Sequence, residues 1–279
     1  MGHDWRYAWR AFRRHPGLSA VIILTLALAI GANTAIFSLM DGLLFKALPV
    51  RDPQGLYLLR WNSRSRPGFG GAGYGDCSYR FSAQLGSTNC DFSVPFFQDV
   101  QAHVRGTSPI TAFADAEAFD LTGHGDAAVL QSRAVAGNFF ATLGIAPAAG
   151  RLLQLRDDQP GAPPALVLSF QYWQTEFGGA SSAIGQTINL NNVPVTIAGV
   201  APRDFPGLTP GRRFDGWIPL SALPRLTPRW SPHRSDADFA WLVLVGRLRA
   251  GVTLPAAQAE LSAHFRAAML GGAPPLLAA

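Results

Sequence analysis

The chain has 279 residues, of which 48% are hydrophobic and only 15% are charged, and its formal net charge is +5. This length is sufficient for one large domain or two modest ones, each with a buried core. A basic balance suits nucleic acid or an anionic membrane surface. Most of the arginines are scattered among Asp and Glu without an aromatic-basic pattern, and Lys46 is the only lysine, so we expect no nucleic-acid binding.

The first long apolar segment, residues 16–40, carries no formal charge. As a helix it would exceed the roughly 30 Å thickness of the hydrocarbon layer, at about 1.5 Å per residue. A cleaved signal peptide is the alternative, because Gly31, Ala32 and Ala35 are small enough for a peptidase site. The apolar region of a signal peptide is usually only about 7–15 residues. The pattern therefore favours a retained transmembrane helix within residues 16–48.

Residues 1–15 predict a second, amphipathic helix. Trp5, Trp9 and Phe12 are spaced i, i+4 and i+7, which places them on one helical face. The arginines on its other faces are Arg6, Arg10, Arg13 and Arg14. Such a helix suits the lipid headgroups, although an ordinary positive flank is the alternative. Arginine before the apolar segment predicts a cytoplasmic N-terminus, with everything after about residue 48 outside the cytoplasm.

The remainder of the chain mixes helix and strand patterns without regular βαβ alternation, which predicts an α+β class. We expect a two-lobed mixed α+β extracytoplasmic domain over residues 49–270 and a tail over residues 271–279. The predicted strands cover residues 55–61, 110–121, 127–135, 165–168, 187–190, 193–200, 214–220 and 239–248. The predicted helices cover residues 94–104, 137–144, 170–177 and 254–270. Residues 63–91 have a Gly- and Ser-rich composition that predicts a loop.

Two local signals sharpen these predictions. Ser169 is placed to cap the helix that follows it. Asn191 and Asn192 separate two strands, and because Asn tolerates the positive φ of a tight turn, they predict a hairpin.

No catalytic or cofactor motif is supported by its context. Residues 68–73 match G-x-G-x-x-G, but they lie within the predicted loop and not between a strand and a helix. A Walker A loop needs Gly-Lys followed by Ser or Thr, whereas Lys46 follows Phe45. The six histidines and two cysteines show no metal-ligand spacing. We therefore expect neither a cofactor nor a metal, and no enzymatic activity.

Cys77 and Cys90 are the candidates for a covalent link. Both fall in the predicted loop, on the side of the membrane expected to be oxidising. Closing a loop of this size stabilises a fold by roughly 3 kcal/mol in the chain-entropy model. A disulfide between them is the favoured interpretation, and two independent free thiols are the alternative.

At residues 29–38 and 43–49 the sequence resembles the first transmembrane helix of MacB/FtsX-type ABC transporter permeases, with most likeness to the acidobacterial duplicated-permease group. Further blocks in the same order strengthen the resemblance, and together they cover most of the chain. These blocks are residues 136–145, 150–153, 167–179, 185–192, 197–202, 214–219, 248–254 and 257–261.

The resemblance implies a MacB-like periplasmic core domain inserted after the first helix of a permease in the bacterial inner membrane. It also implies a separate cytoplasmic ATP-binding subunit, contacted by the helix of residues 1–15, and a dimer of the permease. In this family the motion of four transmembrane helices is transmitted to the periplasmic domains, which export or release substrates.

Two features depart from the family pattern. The loop of residues 63–91 is longer than the pattern needs, and the family continues beyond residue 279 into three more transmembrane segments. The chain is therefore expected to be the N-terminal, truncated part of a permease. The alternative is a membrane-anchored periplasmic binding or interaction domain that works alone.

Overall fold

The computed structural model describes residues 16–40, 50–63, 80–82, 86–106, 109–114, 118–123, 128–209, 211–228, 235–237 and 239–272. The chain divides into two compact units, Met1–Ala47 and Leu48–Ala279. The described part of the first unit is one helix, α1 (Pro16–Met40). The second unit holds the strands and the remaining helices.

The second unit is a mixed α+β domain, as predicted. Its helices are α2 (Val94–His103), α3 (Phe139–Leu143), α4 (Phe170–Phe177), α5 (Leu223–Leu226) and α6 (Leu254–Gly272). Its first strands are β1 (Leu56–Leu58), β2 (Trp61–Ser63), β3 (Arg80–Ser82), β4 (Gly86–Asn89), β5 (Asp91–Phe92), β6 (Thr111–Ala114) and β7 (Ala118–Thr122). The others are β8 (Ala128–Val135), β9 (Ala149–Gly150), β10 (Ala165–Leu168), β11 (Thr187–Leu190), β12 (Val193–Val200), β13 (Gly216–Pro219) and β14 (Leu242–Arg247).

Six strands of the large sheet form a closed ring. Their order is β7, β8, β13, β10, β12 and β11, and β11 pairs again with β7 through Leu190 and Leu121. The β8–β13 and β10–β12 pairs are parallel, and the other four pairs are antiparallel. Alternation along β7 fits this closure, because Phe119 and Leu121 are buried while their neighbours are exposed.

A branch of the same sheet leaves the ring at β8. It runs through β6 and β14 to β1. β5 also pairs with β14, along the same edge as β1 but nearer the start of β14. The described pairing leaves β1 at the end of the sheet. A separate three-stranded sheet contains β2, β4 and β3. The prediction of a loop over residues 63–91 was therefore wrong at β3 and β4, whose Ser, Thr and Gly residues give no strand pattern.

Local side-chain chemistry sets several element ends as predicted. Ser169 Oγ accepts a hydrogen bond from the Tyr172 N–H at 3.1 Å and caps α4. Gly144 ends α3 in the left-handed region, at φ 68°. Asn191 and Asn192 have φ values of 49° and 64°, and they connect the antiparallel strands β11 and β12. The predicted hairpin is confirmed.

Two apolar clusters form the core on the two sides of the sheet strands. The larger contains ring residues such as Leu130 and Ile188 together with Phe96 of α2. The smaller is rich in aromatic residues, and Phe139 and Phe140 of α3 pack there with Trp217 of β13. Aromatic side chains bury a large apolar area, so these clusters supply the main driving force for folding.

Candidate functional site

α1 is the one helix in the described part of the chain that is long and apolar enough to cross a membrane. Its apolar window, Pro16–Ser38, has a mean hydropathy of 2.2 and is not buried. Its threonines are satisfied internally, because Thr25 Oγ1 donates to Val21 O at 2.9 Å and Thr34 Oγ1 donates to Ile30 O at 2.8 Å. This pairing removes the cost of an unpaired hydroxyl in lipid. α1 therefore has the properties of a membrane anchor.

Some predicted functional residues lie outside the described residues. They are Cys77, the glycine-rich motif of residues 68–73, and the aromatic and arginine positions Trp5, Arg6, Trp9, Arg10, Phe12, Arg13 and Arg14. The structure therefore leaves the amphipathic helix of residues 1–15 as a prediction.

Cys90 lies at the junction between the small sheet and the large one. Its side chain is fully buried and disulfide-bonded. The Cys90 N–H donates to Asn89 Oδ1 at 2.7 Å, and the indole N–H of Trp61 donates to the Asp91 carbonyl at 2.9 Å. Asp91 then pairs with Val243 of β14. Cys77 is the only other cysteine in the chain, and we carry the Cys77–Cys90 pair forward as a proposal.

Polar contacts hold the last helix, α6, against the end of α2. The Glu260 carboxylate accepts hydrogen bonds from the backbone N–H groups of Arg105 and Gly106, each at 2.8 Å. One turn later, His264 Nδ1 lies 3.2 Å from Asp99 Oδ2. The other carboxylate oxygen of Asp99 lies 2.8 Å from His103 Nδ1. α6 is thus fixed by polar side chains that bind specific partners on α2 and on the turn after it.

An aromatic cluster fixes the same helix from a second side. The ring of Phe265 stacks on Trp61 of β2, with centroids 6.3 Å apart. It makes edge contacts with Phe92 of β5 at 6.1 Å and with Phe96 of α2 at 5.5 Å. Such aromatic pairs contribute about 1 kcal/mol each beyond the area they bury. Phe265 therefore joins the C-terminal helix to both sheets.

Two adjacent carboxylates, Asp157 and Asp158, lie in the turn Leu155–Asp158 and gave no recognisable signal in the sequence. Asp157 is buried and forms a two-point ion pair with Arg151, at 2.6 Å and 2.8 Å. Burial alone would raise the pKa of Asp157. The hydrogen bonds from Arg151 and the Gln154 N–H, and the charges of Arg151 and Arg156, outweigh burial and hold the pKa of Asp157 below its ordinary value. Arg151 and the Gln154 N–H reach the Asp157 carboxylate only once the chain has folded into this turn.

The pKa of Asp158 is shifted in the opposite direction, above its ordinary value. Burial raises the pKa of Asp158, although its carboxylate accepts hydrogen bonds from Gly137 N–H at 3.0 Å and Ser221 N–H at 2.8 Å. These bonds join the start of α3 to the turn before α5. Both carboxylates are occupied by protein partners, so the arrangement is structural. Within the described ranges, no group of three or more His, Cys, Asp or Glu side chains is placed to bind a metal.

We expect Asp157→Asn to lower the free energy of unfolding at neutral pH by about 2 kcal/mol, because Arg151 loses its charged partner. The pKa of Asp157 is lower in the folded state than its ordinary 3.8. The stabilisation by Asp157 is therefore present above that value and is lost as the pH falls through the folded pKa. Urea unfolding of the full chain in detergent micelles, followed by tryptophan fluorescence at several pH values, measures this difference.

The matched control for this prediction is Asp204→Asn, since Asp204 is exposed. The difference in the free energy of unfolding between wild type and D157N should become smaller as the pH falls. D204N should have the same free energy of unfolding as wild type at every pH. If D157N remains less stable than wild type by the same free energy down to the lowest pH, the ion-pair explanation is contradicted.

Comparison with family models gives a match over residues 19–264, to the MacB-like periplasmic core domain. The match begins within α1 and ends within α6, and it covers most of the chain. The chain belongs to the MacB-like periplasmic core domain family. The MacB-like domain is found in ABC transporter permeases, which confirms the resemblance seen in the sequence. The acidobacterial subgroup stays a prediction.

Among solved structures, the periplasmic region of MacB supports the fold. The periplasmic region of MacB from Actinobacillus actinomycetemcomitans superposes with a TM-score of 0.51 at 13% identity, covering 65% of this chain and 75% of that one. The extracellular domain of the noncanonic ABC-type transporter YknZ from Gram-positive bacteria has a TM-score of 0.48 at 14% identity, covering 70% and 92%. No match was found among curated proteins. The MacB-like domain and α1 together indicate a membrane-anchored protein with an extracytoplasmic domain.

Proposed function

We propose that this chain is the N-terminal part of the permease subunit of a MacB/FtsX-type ABC transporter. The observation that carries the proposal is the single family match, which includes both the apolar helix and the α+β domain. A separate cytoplasmic subunit hydrolyses ATP, and the permease transmits the resulting motion to the periplasmic side, where a substrate is exported or released. The chain itself carries no catalytic site in this proposal.

In this proposal α1 anchors the chain in the bacterial inner membrane with its N-terminus in the cytoplasm. The arginines before the apolar segment support this orientation, because positive charge near the membrane is retained on the cytoplasmic side. Residues 1–15 lie along the cytoplasmic face, where they contact both the lipid headgroups and the ATP-binding subunit. The MacB-like domain lies in the periplasm, where a disulfide at Cys90 is stable. The intact permease forms a dimer.

Site-directed photocrosslinking tests the partner and the orientation together. We expect a full-length chain with p-benzoylphenylalanine at Trp9, irradiated in cells, to form a covalent product with a protein that contains a Walker A sequence. The Walker A lysine marks the phosphate site of an ATPase, so peptide sequencing of the product identifies the partner class. Replacement of Val129, which is 54% exposed on β8, provides the matched control and should give no such product.

Two results would count against the proposal. Adducts of Trp9 with lipid alone would place residues 1–15 on the membrane without an ATPase contact. An ATPase product at Val129 and not at Trp9 would reverse the orientation. The first result, with a gene that encodes no further apolar segment after Ala279, would favour a membrane-anchored interaction domain that works alone.

A further inference from the structure

A groove of about 580 Å³ lies between the first strands of the MacB-like domain and its last helix. Residues 57–62 form one wall, and α6 from Leu254 to Arg266 forms the other. The twelve residue steps along α6 give the groove a length of about 18 Å. Pairing of Leu56 with Arg247 places Leu248 and the start of α6 near β1, whereas the Trp61–Phe265 stack marks the opposite end. The groove is therefore elongated, with two distinguishable ends.

The walls of the groove are mainly apolar. The side chains at the β1 end include Leu58 and Leu254, which are 44% and 56% exposed. Leu261 and Phe265 continue the apolar wall along α6, and Phe265 stacks on Trp61. Exposed apolar surface in a concave site of this volume is typical of a site that binds a small organic ligand.

The charged residues that line the groove are both arginines. Arg60 directly precedes Trp61, and Arg266 directly follows Phe265, so both arginines belong to the end of the groove that the Trp61–Phe265 stack marks. Both side chains are exposed, and neither forms an ion pair within the described part of the chain. Arg266 donates from Nε to Ser262 O at 3.2 Å, which leaves its terminal nitrogens for another acceptor. Among the residues that the structure describes, no aspartate or glutamate lines the groove.

We propose that this groove binds a long-chain fatty acid, with the acyl chain along the apolar walls and the carboxylate at Arg60 and Arg266. Two planar guanidinium groups are well suited to a carboxylate, because each donates to two oxygens at once. The elongated shape and the apolar end suit a single unbranched chain. The inference is independent of the ATP-binding partner proposed above, since it uses only contacts within the MacB-like domain.

Photolabelling of the full-length chain in nanodiscs of phosphatidylcholine tests the proposal. The probe is a stearate that carries a diazirine near its methyl end, and the matched probe is the corresponding stearyl alcohol. We expect the stearate to label residues 57–62 and 254–266 saturably, with at least tenfold more adduct than the alcohol. Unlabelled oleate should compete with the stearate probe for this labelling.

In the double variant R60Q/R266Q, labelling by the stearate probe should fall at least tenfold relative to wild type. Labelling by the alcohol probe should stay at its low level. R156Q/R225Q removes the same charge from residues that do not line the groove, and it should label as wild type. Equal labelling by the two probes, or label confined to α1, would overturn the proposal. Competition by phosphatidylglycerol but not by oleate would also overturn it and assign the site to a phospholipid headgroup.

Discussion

Replacing Cys90 with serine is expected to destabilise the MacB-like domain by about 3 kcal/mol, because it opens the loop of residues 77–90 in our proposed disulfide. Cys90 is fully buried, so a serine hydroxyl there must also find a hydrogen-bond partner. The disulfide anchors a segment with few apolar residues to β5, which pairs with β14 of the main sheet. Urea unfolding of the full chain in detergent micelles, followed by tryptophan fluorescence, measures the loss.

Reduction provides the control for this prediction. Wild type treated with dithiothreitol should unfold at the same urea concentration as C77S, since both remove the same bond. The double variant C77S/C90S should resemble C90S, because the second substitution removes no further bond. If the reductant leaves the wild-type midpoint unchanged, or if iodoacetamide labels both cysteines without reductant, the bond between Cys77 and Cys90 does not form.

Gly199→Ala is expected to lower the free energy of unfolding by about 3 kcal/mol, because β12 has no space for a methyl group at this position. A Cβ at Gly199 would lie 2.4 Å from Arg151 O, 2.5 Å from Arg151 N and 2.6 Å from Ala149 O. All three atoms belong to the backbone where β9 pairs with β12, so none can rotate away. In a domain of this size the loss corresponds to about 6–12 °C in Tm, measurable by differential scanning fluorimetry of the full chain.

Gly55→Ala is the matched control for this position. A Cβ at Gly55 would meet Asp52 Oδ2 at 2.5 Å, but this atom is the end of a side chain that is 70% exposed. The carboxylate can swing into water, so G55A should cost little. Equal Tm losses in G55A and G199A would contradict the backbone contact as the cause, because the effect of chain entropy alone makes a Gly-to-Ala change stabilising.

Local sequence signals predicted many of the elements. Ser169 before α4, Gly144 after α3 and the Asn191–Asn192 turn each act through atoms within a few residues, so their effects can be read from the sequence. The apolar helix α1 is similarly self-contained, because length and composition alone make it long and apolar enough for a membrane.

Other features depend on contacts between distant residues, which no short pattern records. The strands β3 and β4 have no apolar alternation and form only through pairing with each other and with β2. Glu260 gives no sequence sign of its contacts with the turn after α2, which are 154 and 155 positions away. The groove of Arg60 and Arg266 likewise requires β1 and α6 to meet. Distant pairing of this kind explains why the sequence predicted the elements better than the site.

The six-stranded ring has a mechanical consequence for a domain held by a membrane helix. Each ring strand pairs on both sides, so separating any two of them leaves the remaining pairs as a continuous path of hydrogen bonds. A tensile load is then shared by several ladders, and the ring resists stretching as one stiff body. The weakest links lie outside it, where β1 holds the end of the branch by three residue pairs and α6 is attached by side chains. Under tension the domain would therefore yield first at β1 and at α6, and the ring would keep its shape.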